Sequence, residues 1–367
     1  MSIPREGIHL GYVLSTVERF ITSTTVMATL AGFAILQWAG TLRTSSLTPW
    51  TIFFAAALKL NKKLGERSIN AGEKPQKVNF DDEVVVVTGG SSGLGESLVR
   101  FITSASQKAR VVVVDINPPV EQGKYIKGCG LSLLTNAVGH LVRFFACDLS
   151  DRTSLGAVAN QIKQEVGDPT MLVNNAGLSR GRMLAETSAR DVSATLNVNL
   201  VAPFLLTRAF LPAMIARNHG HVLNVSSLSA FVPSAGLADY AASKAGLLAM
   251  TESLRLELRH VHNARKVRVS AFVFSFVRTP LFKGETGGSE FVSPILHVDT
   301  CGEEMFRVLQ QGGSVTKFMP TIVGTIASAI QSFPRWLQDT ILDGTIKLKV
   351  DFKGRQRIDD DGRVLAE

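Results

Sequence analysis

The sequence predicts an α/β fold, a doubly wound parallel sheet with helices on both faces. Three observations carry that reading. From residue 80 onward, short runs of β-branched residues alternate with helical stretches of ten or more residues, the pattern of parallel strands joined by helical crossovers. The first run ends in a glycine cluster that opens a helix, and the second ends in an acid, Asp115.

The elements come in order along the chain. "EVVVVTGG" (83–90) is a β-branched run ending in glycines, as expected of a strand buried on both faces. "ESLVRFITSA" comes next as a helix and "ARVVVVDIN" as the second strand. "LVRFFACDLS" is the third strand, "LGAVANQIKQEVG" a helix and "TMLVNNAG" the fourth strand. A long helix runs through "DVSATLNVNLVAPFLLTRAFLPAMIAR", then come the strand "GHVLNVSS", a helix carrying Tyr240 and Lys244, and the strand "VRVSAFVF". Sheets of this kind bind ligands beyond the carboxyl ends of their strands, at the switch point.

The glycine cluster "TGGSSGLGE" starts at Thr88. Gly89, Gly93 and Gly95 allow a tight turn that brings helix N-terminal amides against a pyrophosphate, with Ser91, Ser92 and Leu94 between them. Asp115 ends the next strand twenty residues after Gly95, where an acid accepts hydrogen bonds from an adenosine ribose. Asp115 would repel a 2′-phosphate, and neither the loop nor "DIN" supplies an Arg or Lys to bind one. NAD is therefore favoured over NADP, with NADP left open.

The ends of the chain are apolar. "FITSTTVMATLAGFAILQWAGTL" (20–42) carries no charge; as a helix it would reach roughly 35 Å, enough to cross a hydrocarbon core of about 30 Å. A second uncharged run, 44–58, is too short to cross alone and would lie in the interface or return as a hairpin arm around Pro49, with Trp38 and Trp50 as anchors. Lys59, Lys62, Lys63 and Arg67 then place the αβ region in the cytosol by the positive-inside rule. A second apolar segment after the first argues against a cleaved signal peptide. Near the other end, Ile322, Val323, Ile326, Ala329, Ile330 and Phe333 recur at helical spacing, and Trp336, Leu337, Thr340 and Ile341 repeat the pattern. This reads as a docking helix or as a membrane-facing, substrate-entrance helix.

The formal charge of +8 comes without Lys/Arg blocks interleaved with aromatics, which disfavours nucleic acid and suits an anionic membrane surface. Cys129, Cys147 and Cys301 are far apart and odd in number, so neither a disulfide framework nor a metal site is expected. His219 and His221 read as turn residues, and no second cluster has metal spacing, so no metal is expected.

With these residues aligned, the chain resembles the short-chain dehydrogenase/reductase family over about residues 80–282. Thr88–Gly95 looks like that family's TGxxxGxG, "NNAG" (174–177) like its fourth-strand motif, and Tyr240/Lys244 like its YxxxK. Ser227 stands thirteen residues before Tyr240, the usual interval, with Ser226 and Ser229 fitting less well; Asn199 in "NVNL" matches the asparagine of the long helix. The resemblance implies a Rossmann-type fold. It also implies cofactor contacts from Asp148 and Leu149 of "CDL", from Asn175, Ala176 and Gly177, from Tyr240 and Lys244, and from Val277 and Thr279. One departure stands out: Phe274 and Ser275 replace the family's Pro-Gly, while Thr279 and Pro280 are kept. More narrowly, "FLPAMIARNHGHVLNVSS" and "KFMPTIVGTIASAI" are similar to the membrane-associated 17β-hydroxysteroid and epidermal retinol dehydrogenase branch. Membership there implies endoplasmic reticulum or lipid-droplet membranes and lipophilic alcohols or ketones.

Hydride exchange at an alcohol carbon needs a group to exchange the hydroxyl proton. A free phenol, with a pKa of about 10, is too weak an acid for that near neutrality. An ammonium one helical turn on lies on the same face and favours the phenolate. Tyr240 is thus expected to be general base in oxidation and general acid in reduction, with Lys244 lowering its pKa. By resemblance, Lys244 also holds the nicotinamide ribose, Ser227 binds the substrate oxygen, and Asn199 holds a water that links Lys244 to solvent. "LFKGETGGSEFVSPILH" (281–297), with Gly284, Gly287 and Gly288, is expected as a lid.

The expected organisation is a membrane-anchoring region (1–64), a linker (65–79), a catalytic domain (80–312), C-terminal amphipathic helices (313–350) and a polar tail (351–367). The expected function is NAD(P)-dependent interconversion of hydroxyl and carbonyl on a sterol, retinoid or long-chain lipid. The alternatives are a secondary-metabolite ketoreductase and a cofactor-binding scaffold at a membrane or lipid droplet. Homo-oligomers are usual among relatives.

Overall fold

The computed structural model describes residues 5, 7–22, 47–118, 125–128, 131–135, 141–279, 281, 283–284, 294–345, 350–351, 357–358 and 364–365. Residues 23–42 of the expected membrane span lie outside these, as do Cys129 and, in the expected lid, Phe282, Gly287 and Gly288.

Among the described residues two helices come first, α1 (Leu10–Thr22) and α2 (Leu47–Ile69). The αβ body comes after them with β1 (Val84–Thr88), α3 (Gly93–Ala105), β2 (Arg110–Asp115), β3 (Tyr125–Gly128), β4 (Leu131–Thr135), β5 (Leu141–Ala146), α4 (Arg152–Glu165) and β6 (Met171–Asn174). Next are α5 (Ala189–Leu196), a π-helical turn (Asn197–Val201), α6 (Ala202–Arg217), β7 (Gly220–Ser227), α7 (Ala238–Leu256) and β8 (Val267–Phe274). The described chain continues through β9 (Lys283–Gly284), α8 (Val298–Gln311), β10 (Thr316–Met319), α9 (Thr321–Ala329) and α10 (Arg335–Gly344).

The main sheet has the order β10-β8-β7-β6-β1-β2-β5-β4-β3. Its seven strands from β10 to β5 are parallel, and β4 and β3 add an antiparallel edge. Valine runs make the centre because both faces are covered. In β1, Val85 and Val87 pack in the layer of α3 and α8, while Val86 packs in the opposite layer with α4, α6 and the end of α7. β2 divides Val111 and Val113 from Val112 and Val114 in the same way, the alternation that a strand's period of two requires.

Local chemistry sets several ends. The Asp151 side chain caps α4 by accepting from the Thr153 amide, and Ser188 caps α5 by accepting from the Asp191 amide. Asn218 and Gly312 close α6 and α8 in the left-handed conformation. At Gly312 a Cβ would stand 2.0 Å from the Gln76 carbonyl oxygen, so only glycine lets residues 73–79 run this close.

Several expectations are revised. Residues 65–69 finish α2, and residues 70–79 are pinned to the body: the Val78 amide donates to Gln310 O at 2.8 Å, and buried Asn70 accepts the Ser314 amide at 2.8 Å. The uncharged run 44–58 continues from Leu47 as part of one helix through Pro49, which sits in its first turn and is tolerated there. The boundary at 312 moves outward, because β10 pairs with β8 from Thr316↔Ala271 to Met319↔Phe274. Four residues of mixed polarity carry too little pattern to announce a strand; main-chain pairing makes it one. In α9, Ile326 faces solvent at 53% exposure, while Ala327 and, just past the helix end, Ile330 are buried and Gly324 packs against Phe318. His221 is a buried strand residue whose Nε2 pairs with Ser270 Oγ at 2.8 Å. His219 lies just before that strand and pairs with Glu83 at 2.9 Å.

Among the described residues, one helix is long and apolar enough to cross a membrane, Ala189–Arg217. It is packed in the core through Ala194, Val198, Ala202, Leu206, Phe210 and Met214.

Candidate active site

The carboxyl ends of β1, β2, β5, β6, β7 and β8 share one edge of the sheet, and the candidate residues gather there. The loop after β1 is shaped by close approach. Gly89 has φ +62°, and a Cβ on it would meet the Ala176 main chain at 2.8 Å. A Cβ on Gly95 would stand 2.2 Å from the Gly89 carbonyl oxygen. The loop is braced from β6: Thr88 Oγ1 accepts the Asn175 and Ala176 amides at 3.0 and 3.1 Å, and Asn175 Nδ2 donates to the Thr88 and Gly89 carbonyls at 3.0 Å each. Ser92 precedes α3 without a side-chain cap, which leaves first-turn amides for an anion.

Asp115 Oδ2 accepts the Ser91 amide at 3.0 Å, and Oδ1 accepts the Asn117 amide at 3.3 Å. Burial pushes its carboxyl above the ordinary range while these amides draw it back. The acid thus ties the glycine loop to the second strand and retains lone pairs for a ribose. Asp148 Oδ1 accepts from the Ser150 amide and hydroxyl at 2.8 and 2.7 Å, whereas its buried Oδ2 has no partner among the described residues. Leu149 beside it is buried. An orphaned acceptor, a cradle with no room for a Cβ and an uncapped helix start fit an adenine dinucleotide.

On β7 the neighbouring serines part ways. Ser226 Oγ donates to the Lys244 carbonyl at 3.0 Å, fixing α7 to the sheet, so it faces away from the site. Ser227 Oγ accepts the Ser229 amide at 3.2 Å and lies near enough to the Tyr240 phenol to influence its titration. Lys244 Nζ is buried, donates to Val225 O at 2.9 Å and stands 5.7 Å from the Tyr240 ring centroid. Burial lowers Lys244 to about 8. Burial also pushes the Tyr240 phenol above its ordinary value, and the neighbouring Ser227 hydroxyl draws it back. The expected lowering of Tyr240 by Lys244 is thus opposed by desolvation in the polypeptide alone.

Asn199 lies fully buried in the π turn, a device that recurs at functional sites. Its Nδ2 donates to Leu178 O at 2.8 Å and Ser243 Oγ at 3.0 Å, and its Oδ1 accepts the Leu178 amide at 2.7 Å. Ser243 in turn donates to the Tyr240 carbonyl at 2.6 Å. Both amide hydrogens of Asn199 are therefore committed, so a relay water would use the spare lone pair of Oδ1 or the main chain. Gly177 lies between the two: a Cβ there would stand 3.7 Å from Lys244 Nζ and 3.9 Å from Asn199 Oδ1. Beyond β8, buried Val277 bridges to Leu296, and its carbonyl accepts the Thr279 amide at 2.7 Å. Sequence reasoning missed Ser243 and the Val225 carbonyl, and it weighed Ser226 only as a poorer match for Ser227, not as the tie between β7 and α7. Both serines are small residues in small-residue runs, and a carbonyl leaves no trace in the sequence.

The sequence profile described as short chain dehydrogenase matches residues 83–288. The chain belongs to that family. It is 32% identical to the dehydrogenase RED2 of Cochliobolus heterostrophus, over 62% of this chain and 80% of that one. It is also 32% identical to short-chain dehydrogenase/reductase family 16C member 6 of Bos taurus, over 68% and 79%. Identity to epidermal retinol dehydrogenase 2 of Mus musculus is 34%, over 61% and 69%. Among solved structures, a metagenomic short-chain oxidoreductase in complex with NADP is 30% identical, with 65% of this chain and 98% of that one covered and a TM-score of 0.50. The chain is accordingly a short-chain dehydrogenase/reductase of the retinol dehydrogenase-like branch, an oxidoreductase acting on CH–OH groups with an NAD(P)-binding fold.

Proposed function

We propose that this short-chain dehydrogenase interconverts a hydroxyl and a carbonyl on a lipophilic substrate, a sterol, retinoid or long-chain lipid, with NAD as the favoured cofactor and Tyr240 as the proton-transfer group. The carrying observation is the cluster at the strand ends: buried Lys244, whose Nζ stands 5.7 Å from the Tyr240 ring centroid, with Ser227 close enough to act on the phenol. Thr88–Gly95, Asp115, Asp148, Leu149, Asn175–Gly177, Val277 and Thr279 would hold the dinucleotide, which supplies the hydride chemistry when bound. Ser227 positions the substrate oxygen and stabilises its developing charge. Tyr240 removes the hydroxyl proton in oxidation and returns it in reduction. Lys244 biases the phenol toward its anion and holds the sugar next to the reacting ring. Asn199 keeps Leu178 and the Tyr240 turn in register.

A membrane-anchoring role for residues 1–64, with the catalytic body on the cytosolic face of the endoplasmic reticulum or a lipid droplet, is supported by the uncharged stretch 20–42. Exposed Val13, Leu14 and Val17 on α1 and Leu58, Leu60 and Leu64 on α2 add to that support. Trp336 on α10, 70% exposed, extends the apolar surface.

The test follows absorbance of reduced cofactor while detergent-solubilised protein meets NAD or NADP and a panel of sterols, retinols and long-chain secondary alcohols. Turnover with NAD on one lipid class is expected. Preference for NADP would overturn the reading of Asp115. Tyr240→Phe should abolish turnover and keep cofactor binding; a variant retaining most activity would sink the mechanism.

A further inference from the structure

The residues that replace the family's Pro-Gly pair supply an unassigned group at the site. Phe274 is buried and stacks on Phe272 with ring centroids 5.4 Å apart, so it serves the core. Ser275 comes directly after it. Its amide donates to the Met319 carbonyl at 2.9 Å, which fixes its main chain, while its buried hydroxyl has no partner among the described residues. A buried hydroxyl without a partner costs stability unless something completes it.

Its place in the sheet identifies the missing partner. In the strand order β8-β7-β6-β1-β2-β5, Asp115 and Asp148 stand at the ends of β2 and β5, and the phosphate cradle at the end of β1. A dinucleotide with its adenosine over β2 and β5 and its phosphates over β1 must extend its other half over β6, β7 and β8. Lys244 Nζ lies against Gly177 just after β6, which assigns the second sugar to that step. The ring comes next. Ser227 is the register partner of Phe274, so Ser275 is one residue past the strand position beside Ser227, and neighbouring strands lie about 4.8 Å apart.

We propose that Ser275 is a nicotinamide-binding residue, its hydroxyl hydrogen-bonded to the ring carboxamide and fixing which face of the ring meets the substrate. This rests on the dinucleotide assignment under Proposed function. A hydroxyl both donates and accepts, so it suits either end of a carboxamide; glycine at this position offers no such group. Besides Asp148 Oδ2 and Ser91 Oγ at the adenosine and phosphate end, the buried oxygens Ser179 Oγ, Ser229 Oγ and Asp239 Oδ2 also have no described partner. The last three belong to the loop after β6, the turn after β7 and the first turn of α7, whereas Ser275 comes after β8.

The experiment is calorimetric titration of the full chain and of Ser275→Ala and Ser275→Gly with NADH and with ADP-ribose, which lacks the nicotinamide. NADPH and 2′-phospho-ADP-ribose are run in parallel, and thermal melting checks folding. Both variants should bind the reduced dinucleotide about three- to ten-fold more weakly, the size of one neutral hydrogen bond, and bind the ring-less nucleotide unchanged. Equal weakening of both ligands, or of neither, would overturn the assignment. A wild-type chain that binds neither nucleotide would overturn the dinucleotide assignment itself, and the Ser275 role with it.

Discussion

Lys244 sets the terms at the scale of a single residue. Its pKa falls from 10.5 to about 8 on burial, so the unfolded chain holds this proton more tightly than the folded one, and burial of the ammonium costs stability at neutral pH. At 1.36 kcal/mol per unit the cost is about 3 kcal/mol. It is felt in full below pH 8 and fades as pH rises from about 8 towards the unfolded value of 10.5. Lys244→Met should therefore be inactive yet melt higher than the wild type at pH 7, with the gap closing by pH 10. A variant less stable at both pH values would mean that the bond to Val225 outweighs desolvation. The proposed trio was legible in the sequence in two ways: Tyr240 and Lys244 through a spacing that proton transfer favours, and Ser227 through its resemblance-based interval to Tyr240. The upward push on Tyr240 was not, since desolvation depends on what the fold packs around the phenol.

At the scale of elements, the glycine loop couples a turn, a helix start and the end of β6. Gly95→Ala places a Cβ 2.2 Å from Gly89 O and 2.6 Å from Asn175 Nδ2, so the loop must open or α3 must shift. Overpacking of this kind costs about 1–3 kcal/mol. The expected result is a lower melting temperature with at least ten-fold weaker NADH binding; an unchanged affinity would show that the loop does not hold the phosphates. Six of the seven parallel strands were legible because valine-rich runs announce burial on both faces. β10 escaped, as did the π turn at Asn199: a four-residue edge strand and one extra residue in a helical turn both arise from pairing that composition does not encode.

At the scale of the whole molecule, α2 is joined to the catalytic body by a buried polar node. Asn70 accepts the Ser314 amide and receives Arg268 Nη1 at 3.3 Å, while Arg268 Nη2 donates to the Lys74 carbonyl at 3.2 Å. The sequence showed polar residues here and suggested a polar linker, because a buried asparagine and a solvated one read alike. Asn70→Ala should lower the unfolding free energy by about 2–3 kcal/mol, as expected when buried donors lose their acceptor. Amide exchange should accelerate first at Ser314 and the last turn of α2; uniform acceleration across the body would mean that the node does not join the two parts. Ser314 is also the residue just before Val315 and β10, and β10 ends at Met319, whose carbonyl holds the Ser275 amide beside Ser227. Load carried by α2 thus reaches the proposed nicotinamide wall through Val315 and the four residues of one short strand. A helix that looks like a mooring line is, mechanically, a handle on the chemistry.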